Sequence, residues 1–252
     1  MSETAFSSIP EVLPLFPLQD MVAFPYMMFP LFLNEEELPP FEEAMRYQNL
    51  IALFRKRGEP RDPSLPPYFE TGTVCKINQF VKLPEGGAKL SLEGIARVRL
   101  EGIVLESPHI LARLEVVREF TERSVVSDAL MQSLNALLKI ALSYGRPLPD
   151  DVLKMIDYID NPARFSDLVA LYVTLPLDEL QDLLDTTDPV ERLKKVYIHL
   201  TNEVQRLQVR GEVQAEVTKR VGKTQKEYLL REQMKQIQEE LGEDDSRNSE
   251  LA

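Results

Sequence analysis

The chain has 252 residues, 44% hydrophobic and 28% charged, enough for one large domain or two lobes with cores of their own. Its formal charge is −12, and residues 1–189 alone hold 17 basic and 29 acidic side chains, which argues against a phosphate-binding surface on the main body. One cysteine excludes an internal disulfide and points to a reducing compartment.

The N-terminus (MSET) lacks the basic start of a secretory signal, and residues 1–11 read as a loose leader. Leu13 to Leu33 consists of short apolar runs broken by proline, the pattern of edge strands and turns. Residues 21–33 are too short to span a bilayer and are interrupted by Pro25 and Pro30. A soluble, cytoplasmic protein with no membrane partner is therefore expected. Pro39–Gln48 suits a short helix with Phe41, Ala44 and Met45 on one face, and Leu50–Phe54 suits a buried strand. Residues 55–67 form a proline-rich loop.

From Thr71 to Val117 the period is two. Residues 85–87 (EGG) supply a hairpin turn, after which Leu90, Leu92, Ala96, Val98 and Leu100 fall on one side. Ile103–Leu105 and His109–Val117 continue the meander until the charged residues 118–123. After Ser124 the pattern is helical. Val126, Leu130, Leu134, Leu137, Leu138 and Ala141 fit one helix, stopped by residues 145–147 (GRP). Val152, Met155, Ile156 and Ile159 fit a second, Asn161-Pro162 caps a third, and Leu177–Leu184 makes a fourth.

The last helix opens at Asp188-Pro189 with Glu191 three residues after the cap, and is expected to close at Gly242. Val190, Leu193, Tyr197, Leu200, Val204 and Leu207 alternate steps of three and four, a seam for packing on other helices. From Val209 the steps are four, through Val213 and Val217 to Val221, so the stripe rotates toward another contact. Leu230, Met234, Ile237 and Leu241 restore the mixed rhythm, and Gly211 and Gly222 are weak points. The fold class is α+β: an N-terminal β-rich lobe of about six strands with one short helix (1–120), a helical lobe (121–189), and one long helix (190–242). An acidic, disordered tail (243–252) follows.

Chemistry is sparse. Residues 222–224 (GKT) resemble the end of a phosphate-binding loop, but the required earlier glycine is Val217 and no strand precedes it. His109 and His199 lie 90 residues apart, neither in metal-ligand spacing with Cys75. Cys75 reads as a small apolar strand residue. Asp150-Asp151 suits a helix start, and Glu35–Glu37 with Glu42-Glu43 suit solvated faces. No catalytic, cofactor-binding or metal-binding residue is nominated. Pro25, Tyr26, Met27 and Met28 place flexible thioethers and an aromatic between prolines, either ordinary core or a surface that adapts to varied partners. Phe80 and Leu83, on the hairpin Phe80–Gly87, are a second candidate contact with the same alternative.

The segment Tyr228–Gly242 (YLLREQMKQIQEELG) closely resembles the stretch that leads into the ATPase module of ATP-dependent Lon proteases. Residues 13–25 (LPLFPLQDMVAFP), 72–74 (GTV), 82–86 (KLPEG), 92–94 (LEG), 159–164 (IDNPAR) and 190–193 (VERL) resemble that family too. Gln19 departs from it, where the family usually has Arg. The resemblance covers roughly residues 12–242 and implies the family's N-terminal domain, which contributes to choosing substrates and to assembling a hexamer. It implies no catalysis in these 252 residues, with ATP, Mg and the Ser-Lys protease belonging to modules that the family carries further along. Unfolded or degron-bearing proteins and other copies of the chain are the implied partners; nucleic acid is not. Leu207, Val213, Val217, Val221, Leu230, Met234 and Ile237 are the candidate assembly and coupling residues. A purely structural assembly domain and a free-standing adaptor are the alternatives.

Overall fold

The computed structural model describes residues 9–58, 67–84, 86–119, 122–145 and 150–249. The leader up to residue 8, most of the proline-rich loop, Glu85, and the side chains of Asp150 and Asp151 lie outside the described residues. By internal contacts the chain forms two units, Met1–Glu203 and Val204–Ala252. The boundary falls inside the last helix, where the exposed stripe replaces the buried seam.

In the first unit, strands β1 (Val12–Leu18), β2 (Met28–Leu33), β3 (Leu50–Arg55), β4 (Thr71–Lys82), β5 (Ala88–Leu105) and β6 (Ile110–Val116) make one sheet in the order β2-β5-β4-β3-β1-β6. β5 also pairs with β6, so five of the strands close into a ring and β2 is left as the edge. β1 and β3 run parallel; β2, β4 and β6 run antiparallel to β5. A helix α1 (Pro39–Ala44), one turn shorter than expected, lays Phe41 against Phe16 with ring centroids 4.9 Å apart. Met45 falls just beyond that helix and is exposed. β3 is buried on both faces: Ile51 and Leu53 join one core cluster with Phe41, Leu90 and Leu92, while Ala52 and Phe54 join another with Leu13, Val98 and Leu114. That two-sided burial explains why β3 reads as a continuous apolar run.

The helical part holds α2 (Val125–Ser143), α3 (Asp150–Asp157), α4 (Pro162–Ala170), α5 (Leu177–Asp185) and α6 (Pro189–Ser249). Ser124 and Ser127 form a reciprocal cap at the start of α2. α2 is long and apolar enough to cross a membrane by composition, but Met131, Leu134, Leu138 and Ala141 form a buried row, as a core helix does. Asn161 caps α4 by accepting from the Arg164 N–H at 3.0 Å. Asp188 caps α6 through the Val190 and Glu191 N–H groups, at 2.8 and 3.3 Å, while the Glu191 carboxylate is taken by Lys194.

Two expectations about α6 need correction. Leu193, Leu200 and Val204 are buried as the seam requires, but Val196 takes the place of Tyr197, which with Val190 and Leu207 is half-buried, and Arg192 joins the buried side. The helix also continues to Ser249, through the stretch read as a disordered tail from residue 243. Gly242 costs about 1 kcal/mol against Ala, and with no proline after it nothing forces a stop.

Candidate functional site

The edge strand β2 alternates strictly: Phe29 and Leu33 point into the core, and Met28, Pro30 and Phe32 point out. Register carries this outward face across two more strands. Phe32 lies beside Lys89 of β5, which lies beside Val81 of β4. Pro30 lies beside Ser91, and Met28 beside Glu93. Met28 is 67% exposed, Phe32 64% and Val81 53%. The Lys89 ammonium stands 5.6 Å from the Phe32 ring centre, and Asn78 donates to Glu93 at 3.0 Å. The result is an apolar line along β2 about 13 Å long, at roughly 3.3 Å per residue, with charged groups alongside it.

The structure parts the residues that the sequence grouped. Met28 belongs to the exposed line. Pro25 is buried, and Met27 and Phe80 pack against a core cluster, so these three are wall and not surface. Tyr26 is half-buried and lies under the Arg164 guanidinium of α4, 5.2 Å from its ring centre. Burial raises the Tyr26 phenol above its ordinary value, and the nearby Asp167 and Glu119 carboxylates raise it further. Leu83 is half-exposed in the turn, its N–H donating to the Gly87 carbonyl at 3.1 Å. Phe32 and Val81 were missed; the outward positions of a strand that also holds Met28 and Pro30 were the available signal.

The close backbone approach of residues 24–27 to β5 accounts for the misgrouping. Tyr26 donates to the Gly94 carbonyl at 2.8 Å, and Gly94 donates back to Met27 at 2.8 Å. A Cβ on Gly94 would stand 2.1 Å from the Phe24 carbonyl oxygen. Glycine is therefore required there by space, and the loop is pinned to the barrel wall.

Beneath this loop lies a feature that sequence reading overlooked. Arg97 of β5 and Arg192 of α6 are fully buried and share Asp167 of α4, at 2.9 and 3.0 Å. Both also bind Glu119, Arg192 at 2.7 Å. Arg97 donates to the Leu184 carbonyl at 2.7 Å; Arg192 donates to Ser166 and to the Thr186 carbonyl at 2.8 and 2.6 Å. Burial disfavours the charged Arg97, but Asp167 and Glu119 outweigh it and raise its pKa. The available signal for Arg192 is its place within the motif 190–193.

Elsewhere the chemistry is structural. Cys75 is fully buried, which pushes its thiol well above the ordinary value. Glu37 accepts from the Asn34 N–H, Glu42 binds Lys82 and Glu43 binds Arg46. His199 faces Glu179 at 3.3 Å. Thr224 lies in helix and donates to the Arg220 carbonyl at 3.1 Å. Among the described residues no group of three His, Cys, Asp or Glu side chains is placed to hold a metal ion.

In the second unit every described side chain of α6 from residue 208 to 237 is exposed, the candidate assembly residues among them. Val213, Val217, Val221, Leu230, Met234 and Ile237 are 49% to 62% exposed, and Leu207 is half-buried.

Residues 12–202 match the family described as the ATP-dependent protease La (LON) substrate-binding domain. The Lon protease of Citrifermentans bemidjiense is 66% identical over 250 residues, covering 99% of this chain and 32% of that protein. That of Geobacter metallireducens is 36% identical over 247 residues, covering 96% and 30%. The chain thus spans about a third of the length of these relatives. The N-terminal domain of Mycobacterium avium complex Lon protease has the same fold, with a TM-score of 0.64 at 19% identity, over 75% of this chain and 98% of that one. The Lon N-terminal domain protein of Xanthomonas campestris gives 0.53 at 19% identity, over 73% and 96%.

Proposed function

The chain belongs to the family of Lon substrate-binding domains, and from that premise we propose that it recognises unfolded or degron-bearing proteins through the outward face of β2. What supports this reading is the apolar line Met28, Pro30 and Phe32, with Val81 two strands away, on a sheet whose other face is already packed. Unfolded chains expose apolar side chains that folded ones bury, so an open line of this kind discriminates between the two states. The complete protein would then be a cytoplasmic, ATP-dependent serine protease, with ATP and Mg serving a separate ATPase module.

Fluorescence anisotropy with a labelled model protein, folded and permanently unfolded, tests recognition. Tighter binding of the unfolded form, lost in the F32S/M28S double variant, is the expected result. Equal affinity for both forms overturns it.

A second role rests on a separate observation. Two exposed apolar rows on α6, Val213, Val217 and Val221 and then Leu230, Met234 and Ile237, suit pairing with helices of other copies. Assembly into a ring of subunits would use them, and the two roles do not compete.

A further inference from the structure

A second surface of the first unit is a cleft of about 640 Å³, within the size range of ligand sites. It is lined by Arg99, Glu115, Val116, Val117, Arg118 and Thr187. Arg99 stands on β5 six positions beyond Glu93, roughly 20 Å from the Met28 row at about 3.3 Å per residue, so this is a separate site.

The lining is chemically mixed in a specific way. Arg99 and Glu115 pair across the β5–β6 ladder at 3.3 Å, both more than half exposed. An ion pair so open and long contributes little and is readily exchanged for a ligand's own groups. Arg118 is exposed and, among the described residues, forms no ion pair. Thr187 adds a hydroxyl, and Val116 and Val117 add aliphatic surface.

Two guanidiniums ask for an oxyanion. A phosphate ester would meet them, but its ionised oxygens would also face the Glu115 carboxylate with no N–H or O–H to donate to it. A chain terminus differs, because its carboxylate accepts from arginine while its last amide N–H donates to a carboxylate. Its side chain lies on the valines. We infer that this cleft binds the free C-terminal carboxylate of a polypeptide ending in an aliphatic residue, with Arg118 and Arg99 on the carboxylate and Glu115 on the terminal amide. Bidentate guanidinium pairing supplies the geometric selectivity. The site lets the domain read chain ends as well as apolar interior segments.

The test uses the full 252-residue chain and fluorescent peptides ending in valine, as the free acid and as the C-terminal amide. The free acid is expected to bind at least about tenfold tighter. Arg118→Glu should bring the free acid down to the level of the amide, without moving the melting temperature, since Arg118 is exposed. The F32S/M28S variant should keep the preference for the free acid, which separates this site from the β2 face. Equal binding of acid and amide overturns the inference, as does full competition by millimolar inorganic phosphate.

Discussion

Replacing Asp167 with alanine gives the sharpest test of how the barrel is tied to the helices. Asp167 is wholly buried and holds Arg97 of β5 at 2.9 Å and Arg192 of α6 at 3.0 Å. Without it, two buried cations share the single carboxylate of Glu119, and one positive charge is left uncompensated. Breaking a buried pair this way costs about 3–5 kcal/mol. Glu119, the Leu184 carbonyl and the Thr186 carbonyl remain as acceptors, so the lower end, about 3 kcal/mol, applies here. In a unit of roughly 200 residues that lowers the melting temperature by about 6–12 °C. Asp167→Asn keeps the shape and an acceptor but loses the charge, and should fall between alanine and wild type. The surface pair Arg99–Glu115 serves as the control, with Glu115→Gln changing stability by less than about 0.5 kcal/mol. Urea denaturation followed by far-UV circular dichroism reads all three. A loss below about 1 kcal/mol for the alanine variant would refute the view that this network joins strand to helix.

Gly94→Ala should cost about 3 kcal/mol, because the new Cβ meets the Phe24 carbonyl oxygen 2.1 Å away and backbone must shift; an unchanged melting temperature would count against the pinned loop. Phe32→Ser with Met28→Ser should leave stability within about 0.5 kcal/mol while weakening binding of an unfolded protein about tenfold or more, as anisotropy and melting curves together report. Tyr26 holds its proton more tightly in the folded protein than in the unfolded chain, since burial and two carboxylates raise it above 10.0. Its contribution is intact below pH 10.0 and is lost as pH rises through the folded value. The difference between wild-type and Tyr26→Phe absorbance titrations should therefore have a midpoint above 10.0, and one at or below it would contradict the burial argument. Val213, Val217 and Val221 changed together to serine should reduce self-association in sedimentation velocity, leaving the first unit's unfolding transition where it was.

The fold was legible where a period was uninterrupted. The alternation from Leu90 to Val98 located β5, and Asp188-Pro189 located the start of α6 to the residue. The candidate site was legible only in part. Pro25, Tyr26, Met27 and Met28 are adjacent in sequence and equally apolar, yet a single backbone approach at Gly94 buries the first, turns the second toward α4 and exposes the last. That approach spans some 70 positions and has no local signature beyond one glycine. Arg97 and Arg192 were invisible for a related reason. A charge inside an apolar pattern reads as an exposed position until a partner is found, and Asp167 is 70 positions from one and 25 from the other.

An open apolar line on an edge strand carries a hazard that its own sequence answers. An edge with free N–H and C=O groups beside large hydrophobic residues is a template for strand addition, the more so if unfolded chains bind there as proposed. Pro30 sits at the middle of β2, where proline is tolerated because its nitrogen faces away from the ladder. The free edge therefore lacks a donor at its centre, and an incoming strand cannot complete a continuous ladder there. Lys89 over Phe32 adds a charge that a second copy of the same face would repel. Side chains of a visiting segment still reach Met28 and Phe32, but its backbone gains no sheet to join. Under the proposed reading, binding to this face then stays weak and reversible. Replacing Pro30 with valine restores the donor, and the expected outcome is slow, concentration-dependent aggregation in the presence of unfolded protein, seen by light scattering. If Pro30→Val stays as clear as wild type, the blunted edge is not what keeps this face open.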